Sequence, residues 1–177
     1  MRKIQDNEGF TLIELLIVVA IIGIIAAIAI PGLLRARMSG NEASAIGSVR
    51  TLSSAQATFA SACGGGGYDI SAAATGLITA PVAGAPTFIP ADLAAAFVAA
   101  TPKAGYTFVN GPGPAGVQIL AADICASGVA TSTQYFMTAA PATLGTTGTR
   151  FFATDHSGQI RQDNAAIATI AGGVPLQ

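Results

Sequence analysis

The chain has 177 residues, about one domain by length, and is 51% hydrophobic but only 10% charged, against roughly 25% charged residues in typical soluble domains. Its formal net charge of −1 offers no basic surface for nucleic acid. One histidine and two cysteines are too few ligands for a zinc site of the Cys/His type.

A long apolar segment lies near the amino terminus. Residues 10–34 contain a single charge, Glu14, and as a helix they would be about 37 Å long. That length is enough to cross a hydrocarbon core of roughly 30 Å. A short polar head with basic residues precedes the segment, and Arg35 and Arg37 follow it. Because positive residues lie on both sides, the positive-inside rule does not decide the orientation.

Three interpretations of this segment compete. A cleaved secretory signal is compatible with the small residues "AIA" at 27–29, but the apolar run is long for one. A single-span anchor explains the length but gives Glu14 no role, although a carboxylate in a membrane helix is costly. If the chain is cut between Gly9 and Phe10, the new amine of Phe10 is a cation one turn from Glu14. Such a helix can stack in staggered register with copies of itself.

The stretch "GFTLIELLIVVAIIGIIAAIAIP", from Gly9 to Pro31, resembles the class III signal segment of type IV prepilins and type II secretion pseudopilins. The resemblance implies that a prepilin peptidase cuts after Gly9 and methylates the new amino terminus at Phe10. It also implies that Glu14 registers an incoming subunit against its neighbour. Gly23 and Pro31 would bracket a stretch that unwinds in filaments, because both residues weaken a helix. A mild kink is the alternative for these two positions.

The resemblance further implies a leader of residues 1–9, an inner-membrane precursor and a homo-oligomeric helical filament outside that membrane. A prepilin peptidase, an assembly ATPase and a platform membrane protein would be its partners. The expected function is therefore a structural subunit of a type IV pilus. The major pseudopilin of a type II secretion system is the alternative within this class. A membrane-anchored binding or adhesin domain is the more distant one, and no enzymatic activity is expected.

Beyond the apolar segment the helix is predicted to continue as an amphipathic half, residues 35–63, giving one rod of about 75 Å. The alternative is two helices joined at "SGN", residues 39–41. Apolar residues recur at steps of three, four and seven, which places them in one stripe about 80° wide. The stripe comprises Leu34, Met38, Ala45, Val49, Leu52, Phe59 and Cys63, whereas Ser44, Ser48, Arg50 and Ser54 are predicted to lie off it.

Residues 64–177 are predicted to form a globular head with an antiparallel sheet, so that the fold class is α+β and pilin-like in layout. "CGGGGYD" ends the helix, residues 90–100 form a short helix, and the rest of 64–105 is expected to be loop. About four strands follow, packed on the apolar stripe. They are predicted at 106–110, at 117–124, at 131–140 and as a hairpin over 149–163 with the turn "DHSG".

Cys63 and Cys125 fit one disulfide in an exported protein, and two buried thiols are the alternative. Many pilins carry a disulfide in the carboxy-terminal region, and this chain departs from that pattern because Cys63 lies at the end of the helix.

No catalytic, cofactor or metal site is expected. His156 has Asp155 and Ser157 beside it, but three adjacent residues in a tight turn cannot converge as a triad does, so an exposed turn is predicted. Calcium could use Asp123, Asp155 and Asp163, but these residues form no dense acidic cluster in the sequence.

Overall fold

The computed structural model describes residues 10–81, 84–98, 101–119, 129–169 and 171–176. The chain divides between Arg37 and Met38 into an amino-terminal and a carboxy-terminal unit. The helices are α1 (Leu12–Ala62), α2 (Thr75–Ile78) and α3 (Ala91–Val98). The strands are β1 (Tyr68–Asp69), β2 (Tyr106–Pro112), β3 (Gln118–Ile119), β4 (Thr131–Ser132), β5 (Tyr135–Pro141), β6 (Phe151–Asp155), β7 (Ile160–Asp163) and β8 (Val174–Pro175). The predicted α+β class is confirmed.

All strand pairs are antiparallel, and they form two sheets. The larger sheet has the order β2-β5-β6-β7-β8, and the smaller has the order β1-β4-β3. The predicted hairpin over 149–163 is confirmed as β6 and β7, which pair from Thr154 with Ile160 to Phe151 with Asp163. Gly158 closes the turn at φ 74, where its amide donates to the Asp155 carbonyl.

The apolar stripe of α1 is confirmed from Ala45 onward, and its residues join the core of the carboxy-terminal unit. Residues 39–41 are helical, so the predicted joint at "SGN" is not found. The placement of Ser48 off the stripe was wrong, because Ser48 is buried. The covered face of α1 is wider than 80° and also includes Glu42 and Gln56, which have polar partners in the head.

Several strand boundaries differ from the prediction. Strand β2 continues through Gly111 and Pro112, which an edge strand tolerates because the missing proline N–H faces away from the ladder. The run 131–140 is two strands, β4 and β5, which belong to different sheets. Of the strand predicted at 117–124, Gln118–Ile119 is observed and residues 120–124 lie outside the described residues. Residues 64–105, expected to be loop apart from one helix, also contain β1 and α2.

Aromatic and aliphatic side chains from α1 and both sheets fill one core in the carboxy-terminal unit. Phe59 meets Phe88 edge to face at 5.5 Å between ring centroids, and Tyr135 donates its hydroxyl to Ser53 Oγ on α1 at 3.2 Å. Burial of each large side chain stabilises the fold by about 1.5–3 kcal/mol. The largest fully buried apolar members are Leu52, Phe59, Leu77, Ile89, Leu93, Tyr106, Tyr135, Met137 and Phe152.

A buried polar network crosses this core. The Gln56 side chain pairs with the backbone of Asp69, donating to its carbonyl at 2.7 Å and accepting from its N–H at 2.9 Å. Asn110 also donates to the Asp69 carbonyl. The Asp69 carboxylate accepts from Ser71 and from the amide of Gly76 in α2. Burial raises the pKa of Asp69, and these hydrogen bonds oppose the rise. The network joins α1, β1, α2 and β2.

The glycine-rich turn after α1 needs its glycines. A Cβ on Gly64 would lie only 2.0 Å from the Gly67 carbonyl oxygen, so a side chain cannot be accommodated there. Cys63, at the start of this turn, is buried. Cys125 lies outside the described residues, and the Cys63–Cys125 disulfide therefore stays a prediction.

Candidate processing and assembly segment

The amino-terminal unit is described from Phe10, so that Gly9 and the predicted cleavage position before Phe10 border the described residues. Phe10 precedes α1 in an irregular conformation and is 76% exposed. On the described side of the predicted cut, Phe10 therefore precedes the helix and does not lie inside it. Exposed, irregular backbone is the kind of substrate that proteolysis prefers.

Thr11 caps the first turn of α1, a role that the sequence reasoning missed. Its Oγ1 accepts a hydrogen bond from the Glu14 backbone N–H at 3.3 Å and donates to Glu14 Oε2 at 3.5 Å. The Leu15 N–H donates to the Thr11 carbonyl at 3.3 Å. The signal was present in the sequence, because Thr-x-x-Glu before an apolar run is the capping-box pattern. Thr11 thus fixes where α1 begins and how the Glu14 carboxylate is held.

Glu14 lies in the first turn of α1, among side chains that are all exposed in the isolated chain. A carboxylate near a helix amino terminus is favoured by the helix dipole, by about 0.3–1 kcal/mol. In hydrocarbon this gain does not offset the cost of an unpaired anion, which is a few kcal/mol. Glu14 is therefore suited to an environment that supplies a cation, such as a neighbouring amino terminus.

Gly23 and Pro31 both lie inside α1, and the helix continues through both positions. Pro31 has no N–H to donate to the carbonyl four residues earlier, so one helical hydrogen bond is missing there. A Cβ on Gly23 would meet nothing within 4 Å, so no close contact in the isolated chain requires glycine. The isolated chain is thus helical where unwinding was predicted for filaments, and the unwinding stays a prediction.

The surface of this segment is apolar apart from Thr11 and Glu14 in its first turn. Every large apolar side chain from Phe10 to Leu34 is exposed, and the most apolar window of α1 has a mean hydropathy of 3.1. By length and composition α1 can cross a membrane. A surface of this kind is stable in lipid or against another apolar surface, and not in water.

The carboxy-terminal unit has clefts but no convergent reactive groups among its described residues. One cavity, about 650 Å³, lies between α1 and a segment that contributes Pro81 and residues 85–88, with Arg50 as its charged lining residue. His156 is exposed in the β6–β7 turn, as predicted. Asp155 accepts from the Ser157 N–H at 2.7 Å, a local turn contact. Asp123 lies outside the described residues, and the described ones contain no cluster of three or more His, Cys, Asp or Glu side chains suited to a metal.

Comparison with known proteins bears on the amino-terminal segment. A family model described as a prokaryotic N-terminal methylation motif matches residues 4–30. The type IV major pilin protein PilA of Myxococcus xanthus is 51% identical over 53 residues, which are 30% of this chain and 24% of that protein. The type IV wide pilus major component PilA4 of Thermus thermophilus is 60% identical over 38 residues, which are 22% of this chain and 29% of that protein. No solved structure matches the chain significantly.

These matches confirm the resemblance of the amino-terminal segment to type IV prepilins. They span less than a third of either relative, and the methylation motif covers residues 4–30 alone. The apolar part of α1, with Thr11 as its cap and Glu14 in its first turn, is therefore similar to known pilins in sequence.

Proposed function

We propose that this chain is the precursor of a structural pilin, which polymerises into a type IV pilus after cleavage between Gly9 and Phe10. The observation that carries the proposal is the exposed apolar surface of α1 up to Leu34, whose first turn holds Glu14, within a segment that matches the N-terminal methylation motif. Both relatives are named as pilus components, which favours a pilus over a secretion pseudopilus.

In this proposal the precursor is stored in the bacterial inner membrane with its apolar helix in lipid. A prepilin peptidase removes residues 1–9 and methylates the amine of Phe10. The helix then leaves lipid only to pack against apolar helices of other copies, so its apolar surface stays covered throughout. The cation at Phe10 of one copy neutralises Glu14 of another, which sets the axial register. An assembly ATPase supplies the energy for moving subunits from lipid into the filament, and a platform membrane protein is its partner in assembly.

The carboxy-terminal unit is the globular head of the subunit in this proposal. Its described charged side chains are few, and several are internally paired, as Glu42 is with Arg150 at 2.8 Å and Asp92 with Lys103 at 2.9 Å. The proposal gives His156 no catalytic role, because it lies in an exposed turn where, among the described residues, no nucleophile from another element converges on it.

The first test is the intact mass of the protein recovered from cells that carry the pilus machinery. We expect a chain that begins at Phe10 and carries one additional methyl group. A matched variant, Gly9→Leu, should keep the full-length mass, because its side chain would occupy the position next to the scissile bond. A wild-type mass that starts at Met1 or after Ala29 would refute the prepilin pathway and support an anchor or a secretory signal.

A second measurement separates a pilus from a pseudopilus. Filaments sheared from the cell surface should contain the mature chain as their main component. Recovery of the mature chain only from the periplasmic fraction would contradict the pilus assignment while leaving the processing site intact.

A further inference from the structure

Glu42 is the first buried residue of α1, and its carboxylate is the centre of a hydrogen-bonded clamp. One oxygen, Oε1, accepts from the Thr149 N–H at 2.9 Å, from the Thr149 hydroxyl at 3.1 Å and from the Arg150 N–H at 3.3 Å. The other, Oε2, receives Arg150 Nε and Nη2, both at 2.8 Å. The Glu42 side chain is 8% exposed. Five donors from the segment before β6 therefore hold one turn of α1.

The sheet side of this clamp is itself fixed. Arg150 Nη1 donates to Gln162 Oε1 on β7 at 2.8 Å, and the guanidinium lies over the Phe152 ring at 5.5 Å from its centroid. The Tyr106 hydroxyl donates to the Arg150 carbonyl at 2.8 Å. Because the cationic partner is held by three elements of the larger sheet, the part of the clamp that can yield is the helix turn around Glu42.

The helix turn has little else to hold it. From Met38 to Ser48 the fully buried apolar side chain is Ala45, with Ile46 partly buried beside it, whereas Val49 and Leu52 anchor the next turns completely. Gly40 and Gly47 each weaken the helix, by about 1 kcal/mol relative to alanine. Apart from the clamp, the Asn41 amide donates to the Thr147 carbonyl at 2.9 Å. Polar contacts thus replace apolar packing in this stretch.

We propose that Glu42 is a latch: its charged carboxylate keeps residues 38–48 helical and docked on the sheet, and loss of that charge releases them while the rest of the unit stays folded. Segments with few buried apolar contacts open locally at a fraction of the free energy of global unfolding. Residues 38–48 meet that condition, so the clamp at Glu42 is what keeps them from opening. The inference rests on the contacts of the carboxy-terminal unit and not on the proposed function.

The latch has a predictable response to acid. Burial by itself would raise the pKa of Glu42, but hydrogen bonds from Thr149 and the contact with Arg150 outweigh it and hold the pKa below the usual 4.5. The stabilisation that the charged Glu42 gives to residues 38–48 is therefore complete above the ordinary glutamate pKa. It is lost as the pH falls through the lowered pKa of Glu42. Tyr106 is a titratable group near the pair, and burial and the charge of Glu42 raise its pKa to about 12, so it stays neutral throughout. Asp163 lines the cavity beside Arg150 and is exposed.

Hydrogen exchange followed by mass spectrometry on the full chain in detergent micelles tests the latch. In Glu42→Gln we expect amide exchange to rise about tenfold or more in residues 38–48, whereas residues 52–62 keep their protection. Arg50→Gln is the matched control, because it removes an exposed charge from the same helix outside the clamp. That variant should leave both segments unchanged.

An acid titration of the wild-type chain is the second arm, and it also covers the case in which Glu42→Gln fails to fold. The ratio of exchange in residues 38–48 to that in residues 52–62 should rise as the pH falls below the usual range of glutamate, and it should stay flat in Glu42→Gln. Equal loosening of both segments, in the variant or in acid, would show that Glu42 supports the whole fold and not a separate latch. Unchanged exchange in Glu42→Gln would also overturn the proposal.

Discussion

At the beginning of α1 the Thr11 hydroxyl donates to the Glu14 carboxylate, and the geometry of this contact decides whether Glu14 can also bind a second partner. The Thr11 hydroxyl holds Glu14 Oε2 at 3.5 Å, a long contact that leaves most of the carboxylate's acceptor capacity open. A second partner can therefore bind Glu14 without displacing the cap. The geometry is compatible with a carboxylate that stays attached to its own helix while it pairs with the amine of another copy.

We expect Glu14→Ala to leave cleavage at Gly9 largely intact but to reduce filament assembly severely, because it removes the anion that is proposed to set the register. Immunoblots of sheared filaments and of total cell protein measure assembly and processing separately. Val18→Ala, a truncation of an exposed apolar residue one turn further along α1, is the control and should assemble. Normal amounts of filament from Glu14→Ala would refute the register hypothesis.

Local patterns predicted the elements that local interactions stabilise. The apolar run and the stripe predicted α1, and the turn "DHSG" between a strand pattern and its return strand predicted the β6–β7 hairpin. Strand β1 has two residues and no periodicity, and it pairs with β4, which lies far along the chain. Between β4 and β5 the chain passes from the smaller sheet to the larger one, and this change of partner strands breaks the run. These features depend on tertiary contacts, which a window of sequence does not contain.

The β6–β7 turn gives a prediction about a single element. Gly158 has φ 74, a conformation that costs an alanine about 1–2 kcal/mol, although a Cβ there would meet nothing closer than 3.8 Å. Gly158→Ala should therefore lower the free energy of unfolding by about that amount, as measured by denaturant titration. Gly111→Ala in β2 is the control, because a Cβ there has open space and no positive φ is required. Equal effects of the two substitutions would contradict the backbone explanation.

At the scale of the whole molecule, the two units differ in what the sequence reveals. The amino-terminal segment carries its signal locally, since Gly9, Phe10, Glu14 and Gly23 lie within the matched methylation motif of residues 4–30 and Pro31 follows it directly, although the roles of these residues stay predictions. The carboxy-terminal unit depends on pairs far apart in the chain, such as Glu42 with Arg150, which are separated by 108 positions. The sequence between these positions is rich in alanine, glycine and threonine, so that few of its side chains have a size or charge that would identify their contact partner.

The predicted Cys63–Cys125 disulfide would link the end of α1 to the head across a long loop, and on the chain-entropy model it would stabilise the fold by about 4 kcal/mol. We expect the intact mass measured without reductant to be two hydrogens below the reduced mass. Cys63→Ala, Cys125→Ala and the double variant should then lose similar amounts of stability, because either single change already breaks the bridge. Two separate buried thiols would instead give an unchanged mass and additive losses. Comparing the stability losses of the single and double variants therefore distinguishes a disulfide from the packing of two separate thiols, whatever each cysteine contributes alone.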